Sequence, residues 1–379
     1  MVGSKPTLYA PLKSTAMSKP TLTSRERVKR AIARKPHDRV PRYETFWDDT
    51  IQRWAKDGYP VGREGALKAL EADMHEVSGF HWPAPFGNRY ERVEEDEETV
   101  VLRDPWGGIF RQFKNKQTTP EHISWECDSP ESWHSTFRRA IVESTDDIDP
   151  GPVLKACAEA EREQKWRFCI GLEPFECLRK LIGDEATLIN LIEEPEWIED
   201  IAEVTTSRTL KVMDRLWAAG MRCEGFWIYG DMAFNHSTFC SPRTYREVIW
   251  PQHKRLCDWA HAHGMALVYH TDGNINAVLD LYVEAGIDVI QPLECKAGMD
   301  LRNLVPAYGD KLTFFGNIDV MAMIDGDEEK LENEIREKLA AGMSRNGYIY
   351  HSDHSIPPQV SWPLYQKMIG WVSQYGNYD

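Results

Sequence analysis

In the second half of the chain, short apolar runs and amphipathic helical stretches alternate six times. The runs are Arg167 to Glu173, Gly225 to Asp231, Ala266 to Asp272, Asp288 to Glu294, Leu312 to Asp319 and Tyr348 to Asp353. Such a rhythm predicts a parallel sheet with helices covering it. With Val40 to Phe46 as a first strand and Trp47 to Lys56 as the helix after it, the pattern predicts an α/β fold of the (β/α)8 type, a TIM barrel.

Residues 1–22 are rich in Lys, Pro, Ser and Thr and read as a flexible leader, leaving 23–379 as one barrel domain. Folding is expected to start at Thr23-Ser24-Arg25-Glu26, which has capping-box spacing, with a helix running to Arg34. The segment Arg89 to Phe113 alternates charged and apolar residues around Asp104-Pro105-Trp106-Gly107-Gly108, so an inserted β-hairpin is expected near 89–113, with Trp106 in its core. Pro120 to Pro150 reads as loop and linker.

A formal charge of -15 and the lack of a basic stripe exclude nucleic acid as a natural partner. No apolar run reaches the roughly eighteen residues of a membrane span, and no signal peptide opens the chain, so no membrane association and a cytoplasmic location are expected. The eight cysteines form no C-x-x-C pair and read as reduced, mostly buried thiols.

In a barrel of this kind the chemistry sits where the strands end. The ends here are Gly171-Leu172-Glu173, Tyr229-Gly230-Asp231, His270-Thr271-Asp272-Gly273-Asn274, Pro292-Leu293-Glu294, Gly316-Asn317-Ile318-Asp319 and His351-Ser352-Asp353-His354. Acidic residues at such places also cap the helices that follow, and Asp319 reads that way; for Glu173, Asp231 and Glu294 both roles stay open. His270 and Asp272 lie two apart, so in an extended strand their side chains share a face. Together with His354 at the end of the last strand they could hold a divalent metal with a position open for substrate, or serve in hydrogen bonding and substrate positioning.

These same residues resemble the uroporphyrinogen decarboxylase superfamily. The likeness rests on His270-Thr271-Asp272-Gly273-Asn274, Glu284-Ala285-Gly286-Ile287-Asp288, Pro292-Leu293-Glu294, Lys296-Ala297-Gly298-Met299-Asp300 and Phe315-Gly316-Asn317-Ile318-Asp319. Ser24-Arg25-Glu26-Arg27, Asp38-Arg39-Val40-Pro41 and Ser352-Asp353-His354-Ser355-Ile356-Pro357-Pro358 extend it over the chain from about residue 23. Two activities are characteristic of that superfamily: metal-free decarboxylation of uroporphyrinogen, and zinc-assisted methyl transfer involving corrinoid proteins. True decarboxylases carry W-x-M-R-Q-A-G-R-Y, whose arginines hold the substrate carboxylates. Here Pro41-Arg42-Tyr43-Glu44-Thr45-Phe46-Trp47-Asp48-Asp49 lacks that arginine pair and adds acids that repel an eight-carboxylate substrate. The branch acting on coenzyme M has His-x-Cys and a later Cys, which by position match His270, Asp272 and His354.

The resemblance therefore implies a corrinoid-dependent methyltransferase of the O-demethylating type. It would move a methyl group from a small methoxylated, aromatic compound to cobalamin carried by a partner corrinoid protein. Zinc on His270, Asp272 and His354 would assist, with Asp231, Glu173 or His354 as acid or orienting group. Tyr43, Phe46, Trp47, Tyr229 and Asn235 would bind the donor, and a homodimer is the assembly the resemblance suggests. Two alternatives stand beside it: a metal-free decarboxylase of an unknown carboxylic acid, and a non-catalytic barrel that binds a corrinoid or tetrapyrrole partner.

Overall fold

The computed structural model describes residues 22–77, 84–87, 90–115, 120–144 and 148–378. Apart from Leu22, the leader expected over 1–22 lies outside them, as does Arg89 at the start of the expected hairpin. None of the described helices is long and apolar enough to cross a membrane.

Three sheets are present among the described residues. The main one is parallel and has seven strands, in the order β1 (Met74–Glu76), β6 (Trp166–Leu172), β7 (Gly225–Tyr229), β10 (Ala266–Thr271), β11 (Val289–Pro292), β12 (Thr313–Phe315) and β13 (Tyr348–Ile349). An antiparallel sheet of four holds β2 (Glu91–Glu95), β3 (Thr99–Arg103), β4 (Gly108–Phe113) and β5 (Glu121–Trp125). The third is a minimal pair, β8 (Ala233–Phe234) with β9 (Ser237–Thr238).

Six of the seven parallel strands are those expected, with ends displaced by a few residues; β1 is additional. Residues 40–46, expected as the first strand, make only isolated bridges, Arg42 to Tyr350 and Phe46 to Ile356. Pro41 has no N–H for a ladder, which limits pairing to single bonds. The segment nonetheless reaches both edges of the curled sheet. Tyr43 N donates to Tyr350 O at 3.1 Å, Tyr350 N to Pro41 O at 2.8 Å, and Asp73 N to Arg42 O at 2.8 Å.

Contrary to expectation, the insertion is not a two-stranded hairpin. Part of the stretch read as loop and linker supplies β5, which pairs with β4, and a helix at Arg138–Glu143. The sequence Glu121-His-Ile-Ser-Trp125 has strand-like alternation, and Arg111 meets Glu121 across the pair at 3.0 Å. Trp106 is buried as expected, beneath the Arg208 guanidinium at 4.6 Å from the ring centre.

Inside the curled sheet the period of two places alternate residues inward, where Tyr43, Met74, Trp166, Phe168, Trp227, Val268, Val289, Phe315 and Ile349 make one apolar cluster. The helix Ser24–Ile32 contributes Val28 and Ala31 to the same cluster, and Thr23 caps it by accepting from Glu26 N at 3.2 Å. Arg27 and Arg39 both bond the fully buried Asp73 at 2.7 Å. Burial alone would raise the Asp73 carboxyl; the coulombic and hydrogen-bonding pull of Arg39 and Arg27 overcomes that and holds it below the usual range. This pairing pins the N-terminal helix and the 39–43 segment to β1.

Candidate active site

Register fixes the site. Tyr229, His270 and Gln291 stand at one level of β7, β10 and β11, since His270 pairs with both Tyr229 and Gln291 across the parallel ladders. They point into a cavity of about 340 Å³ at the C-terminal ends of the strands. Its walls are Tyr43, Phe168, Ile170, Trp227, Tyr229 and Pro292; Thr45, Glu76, His270, Asp272, Gln291, His354 and Ser355 supply polar groups, and Trp47 adds an indole. Among the described residues that line it there is no lysine or arginine.

His270 donates from Nδ1 to Gln291 Oε1 at 2.5 Å, which leaves Nε2 free to accept or ligate. That nitrogen lies 3.8 Å from Asp231 Oδ1, and the same carboxylate oxygen accepts from the backbone N–H of Asp272 at 3.0 Å. Asp231, His270 and Asp272 thus offer three ligand atoms within 4.8 Å of one another. The turn that presents Asp272 depends on Gly273, whose φ is +85° and where a Cβ would come within 2.5 Å of the Ala233 backbone. Glu294 steadies it by accepting from Gly273 N at 2.9 Å.

Asp272 is the most perturbed acid in the cavity. Desolvation by burial, helped by Asp231 and Glu294, lifts its carboxyl to about 6 against the opposing pull of His270 and His354. Its Oδ1 is buried with no hydrogen-bond partner in the structure. Oδ2 faces His354 Nε2 at 3.8 Å, and the His354 ring stacks on Trp47 with centroids 5.4 Å apart. The structure therefore groups His270 and Asp272 with Asp231 on one side and sets His354 on the other side of Asp272.

Three expected site residues are elsewhere. Glu173 is fully buried: it caps the helix Pro174–Ile182 through Glu176 N at 2.8 Å and bonds His253 Nε2 at 2.7 Å. His253 in turn meets the Tyr245 hydroxyl at 2.6 Å, so the carboxylate is committed to a buried network. Gly230 is what admits it, because a Cβ there would lie 2.4 Å from Glu173 Oε2. Phe46 packs outward against Trp54 and Tyr365 rather than into the cavity. Asn235 sits exposed in the two-residue turn between β8 and β9 and is not among the residues that line the cavity. Tyr43, Trp47 and Tyr229 do line the cavity, as expected.

Sequence reasoning missed Gln291, Thr45, Ser355 and Glu76. It also missed a buried pair beneath the wall. Glu44 and His351 are both inaccessible, with His351 Nε2 3.3 Å from Glu44 Oε1. Burial lifts the Glu44 carboxyl to about 8 and lowers the His351 imidazole to about 3. A signal was present: Glu44 is an acid in the middle of the run expected as the first strand, directly after Tyr43.

Comparison with known proteins agrees with this architecture. The family model described as uroporphyrinogen decarboxylase (URO-D) matches residues 143–375. A protein of Syntrophotalea carbinolica described as uroporphyrinogen decarboxylase is 28% identical over 120 residues, 32% of this chain and 34% of that protein. One of Streptomyces griseus with the same description is 24% identical over 181 residues, 47% of this chain and 44% of that protein. The matched segments span less than half of either relative. Among solved structures, a methyltransferase from Methanosarcina mazei superposes with a TM-score of 0.63 at 14% identity, over 93% of this chain and 99% of that one. At that identity the likeness is one of fold.

Proposed function

Because the chain belongs to the uroporphyrinogen decarboxylase family, we propose a function from that premise and from the cavity: a methyltransferase that takes a methyl group from a small methoxylated aromatic compound and passes it to cobalamin on a partner corrinoid protein. The observation that carries this reading is the composition of the cavity, an aromatic slot lined by His270 and Asp272, with Asp231 beside them and no lysine or arginine among the described residues of its lining. Uroporphyrinogen, with eight carboxylates, would meet acids there and no lysine or arginine among the described residues of the lining. A volume near 340 Å³ suits one substituted ring. The same reading takes residues 39–46 as the eighth stave of a closed barrel, which sets Tyr43, Thr45 and Trp47 in the wall opposite β10.

The donor set fits zinc. The unpartnered, buried Asp272 Oδ1 and the free Nε2 of His270 are the kind of groups a divalent ion satisfies, and Asp231 completes three ligands. The chemistry zinc supplies in such a set is Lewis acidity toward an ether oxygen. The protein's own share is orientation and exclusion of water. Gln291 fixes the His270 tautomer, Glu294 fixes the Asp272 turn, and Tyr43, Phe168 and Trp227 present a dry face to the ring. His354, stacked on Trp47, lines the same cavity and would bond the departing oxygen.

The test is an anaerobic assay with a panel of methoxylated arenes and a corrinoid protein whose cobalt is reduced to the nucleophilic Co(I) state. Formation of methylcobalamin together with the phenol is the expected result. Carbon dioxide release from candidate acids, with no methyl transfer, would replace this reading by a decarboxylase.

A further inference from the structure

The Glu44–His351 pair has no role in the site as described. Its connections run in one direction. His351 Nδ1 donates to the Ser352 carbonyl at 2.6 Å, so the neutral ring carries its proton there and Nε2 is an acceptor. Two groups converge on that nitrogen: Glu44 Oε1 at 3.3 Å and Thr45 Oγ1 at 3.2 Å. Thr45 Oγ1 also meets Ser355 Oγ at 2.9 Å, and Thr45 and Ser355 both line the cavity. Ser352 bonds Glu44 through its hydroxyl at 2.7 Å and its N–H at 3.2 Å, and Thr45 N donates to Glu44 Oε1 at 3.1 Å. The pair is thus clamped on the protein side and open to the cavity only through two hydroxyls.

We infer that Glu44 and His351 store a proton and that Thr45 delivers it to the oxygen leaving the methyl group. In the resting state Glu44 holds the proton and His351 is neutral, in keeping with the raised carboxyl and the lowered imidazole. When the methyl–oxygen bond breaks, its electron pair stays on oxygen while the methyl group bonds to cobalt. Glu44 gives its proton to His351 Nε2, that nitrogen passes the proton on to Thr45 Oγ1, and the Thr45 hydroxyl gives its own proton to that oxygen, leaving His351 neutral as before. The products are the phenol and the Glu44 carboxylate, which regains a proton from water after release. Thr45 is the catalytic donor; Glu44 and His351 are positioning and storage groups behind it.

This inference rests on the ether-demethylation reading, and leaving-group dependence separates the two. Donors that release a basic phenolate need the proton; donors that release a nitrophenolate do not. Thr45→Val, which keeps the shape and removes the hydroxyl, is expected to lower kcat by roughly 10² for the former and only a few-fold for the latter, with KM little changed. Thr45→Ser is expected to restore the rate. Glu44→Gln and His351→Asn should reproduce the same leaving-group dependence although neither side chain reaches the cavity, with zinc content equal to wild type. Equal slowing across all donors, or no slowing in Thr45→Val, overturns the relay while leaving the demethylation reading intact. Absence of wild-type turnover with every donor overturns both.

Discussion

His270 and Gln291 stand opposite each other in neighbouring parallel strands, and the 2.5 Å bond from imidazole Nδ1 to the amide oxygen sets which ring nitrogen faces Asp231 and Asp272. An orienting partner behind a metal-ligating histidine typically changes metal affinity by about 10–100-fold. Gln291→Ala is expected to weaken zinc binding by that factor without unfolding the protein, as read by competition with a chromogenic chelator. Unchanged affinity would remove His270 from the ligand set.

Asp272→Ala and His354→Ala are each expected to slow methyl transfer by roughly two orders of magnitude, the usual cost of losing a metal ligand or a group that bonds the reacting oxygen. Cys295→Ser should leave it largely intact. Burial and the nearby Asp353 raise that thiol, and its sulfur sits 2.9 Å from Lys338 Nζ, outside the cavity lining. Transfer that survives loss of both Asp272 and His354 would place the chemistry elsewhere.

Glu44 predicts a pH dependence of stability. In the unfolded chain its carboxyl ionises near 4.5, in the folded chain only near 8. Between those values the unfolded state binds fewer protons, so this contribution is full below pH 4.5 and is lost as pH rises toward 8. Against wild type, Glu44→Gln should therefore gain relative stability over that window, on the order of a few kcal/mol. Denaturant titrations at the two ends measure it; a constant difference would mean that Glu44 is ionised throughout.

Asp73 is fully buried between Arg27 and Arg39, and removing it takes the shared carboxylate from two buried guanidiniums, leaving Arg27 with Asp38 and Arg39 with no carboxylate partner among the described residues. Asp73→Ala is expected to destabilise the fold by about 3–5 kcal/mol, read from the urea midpoint at constant slope. A loss below about 1 kcal/mol would mark the cluster as solvated and incidental.

The strand ends were legible because apolar runs with period two, broken by Gly, Asp and His, describe a parallel strand and its loop together. His270, Asp272 and Tyr229 followed from that periodicity. Glu173 and Asn235 could not be sorted the same way. One caps a helix against a histidine 80 residues along the chain, and the other rides a two-residue turn too short to show in the sequence. The four-stranded insertion was hidden because β5 lies in a Pro-flanked stretch that reads as linker. Lys338 beside Cys295, and His351 beside Thr45, are 43 and 306 residues apart, contacts that exist only once the sheet has curled.

The bonds that Pro41 and Tyr43 make with Tyr350 also carry a kinetic meaning. They join positions near opposite ends of the sequence, so they form only after almost all of the intervening chain has found its place. Pairings of such long range are slow to assemble, because the entropy of closing the loop is lost before the contact rewards it. Until residue 350 is available, Pro41 O and Tyr43 N lack the backbone partner they have in the folded chain. The proposed proton store, built from Glu44 and His351 on the same seam, would then be among the last parts of the molecule to exist, and its appearance would report the end of folding.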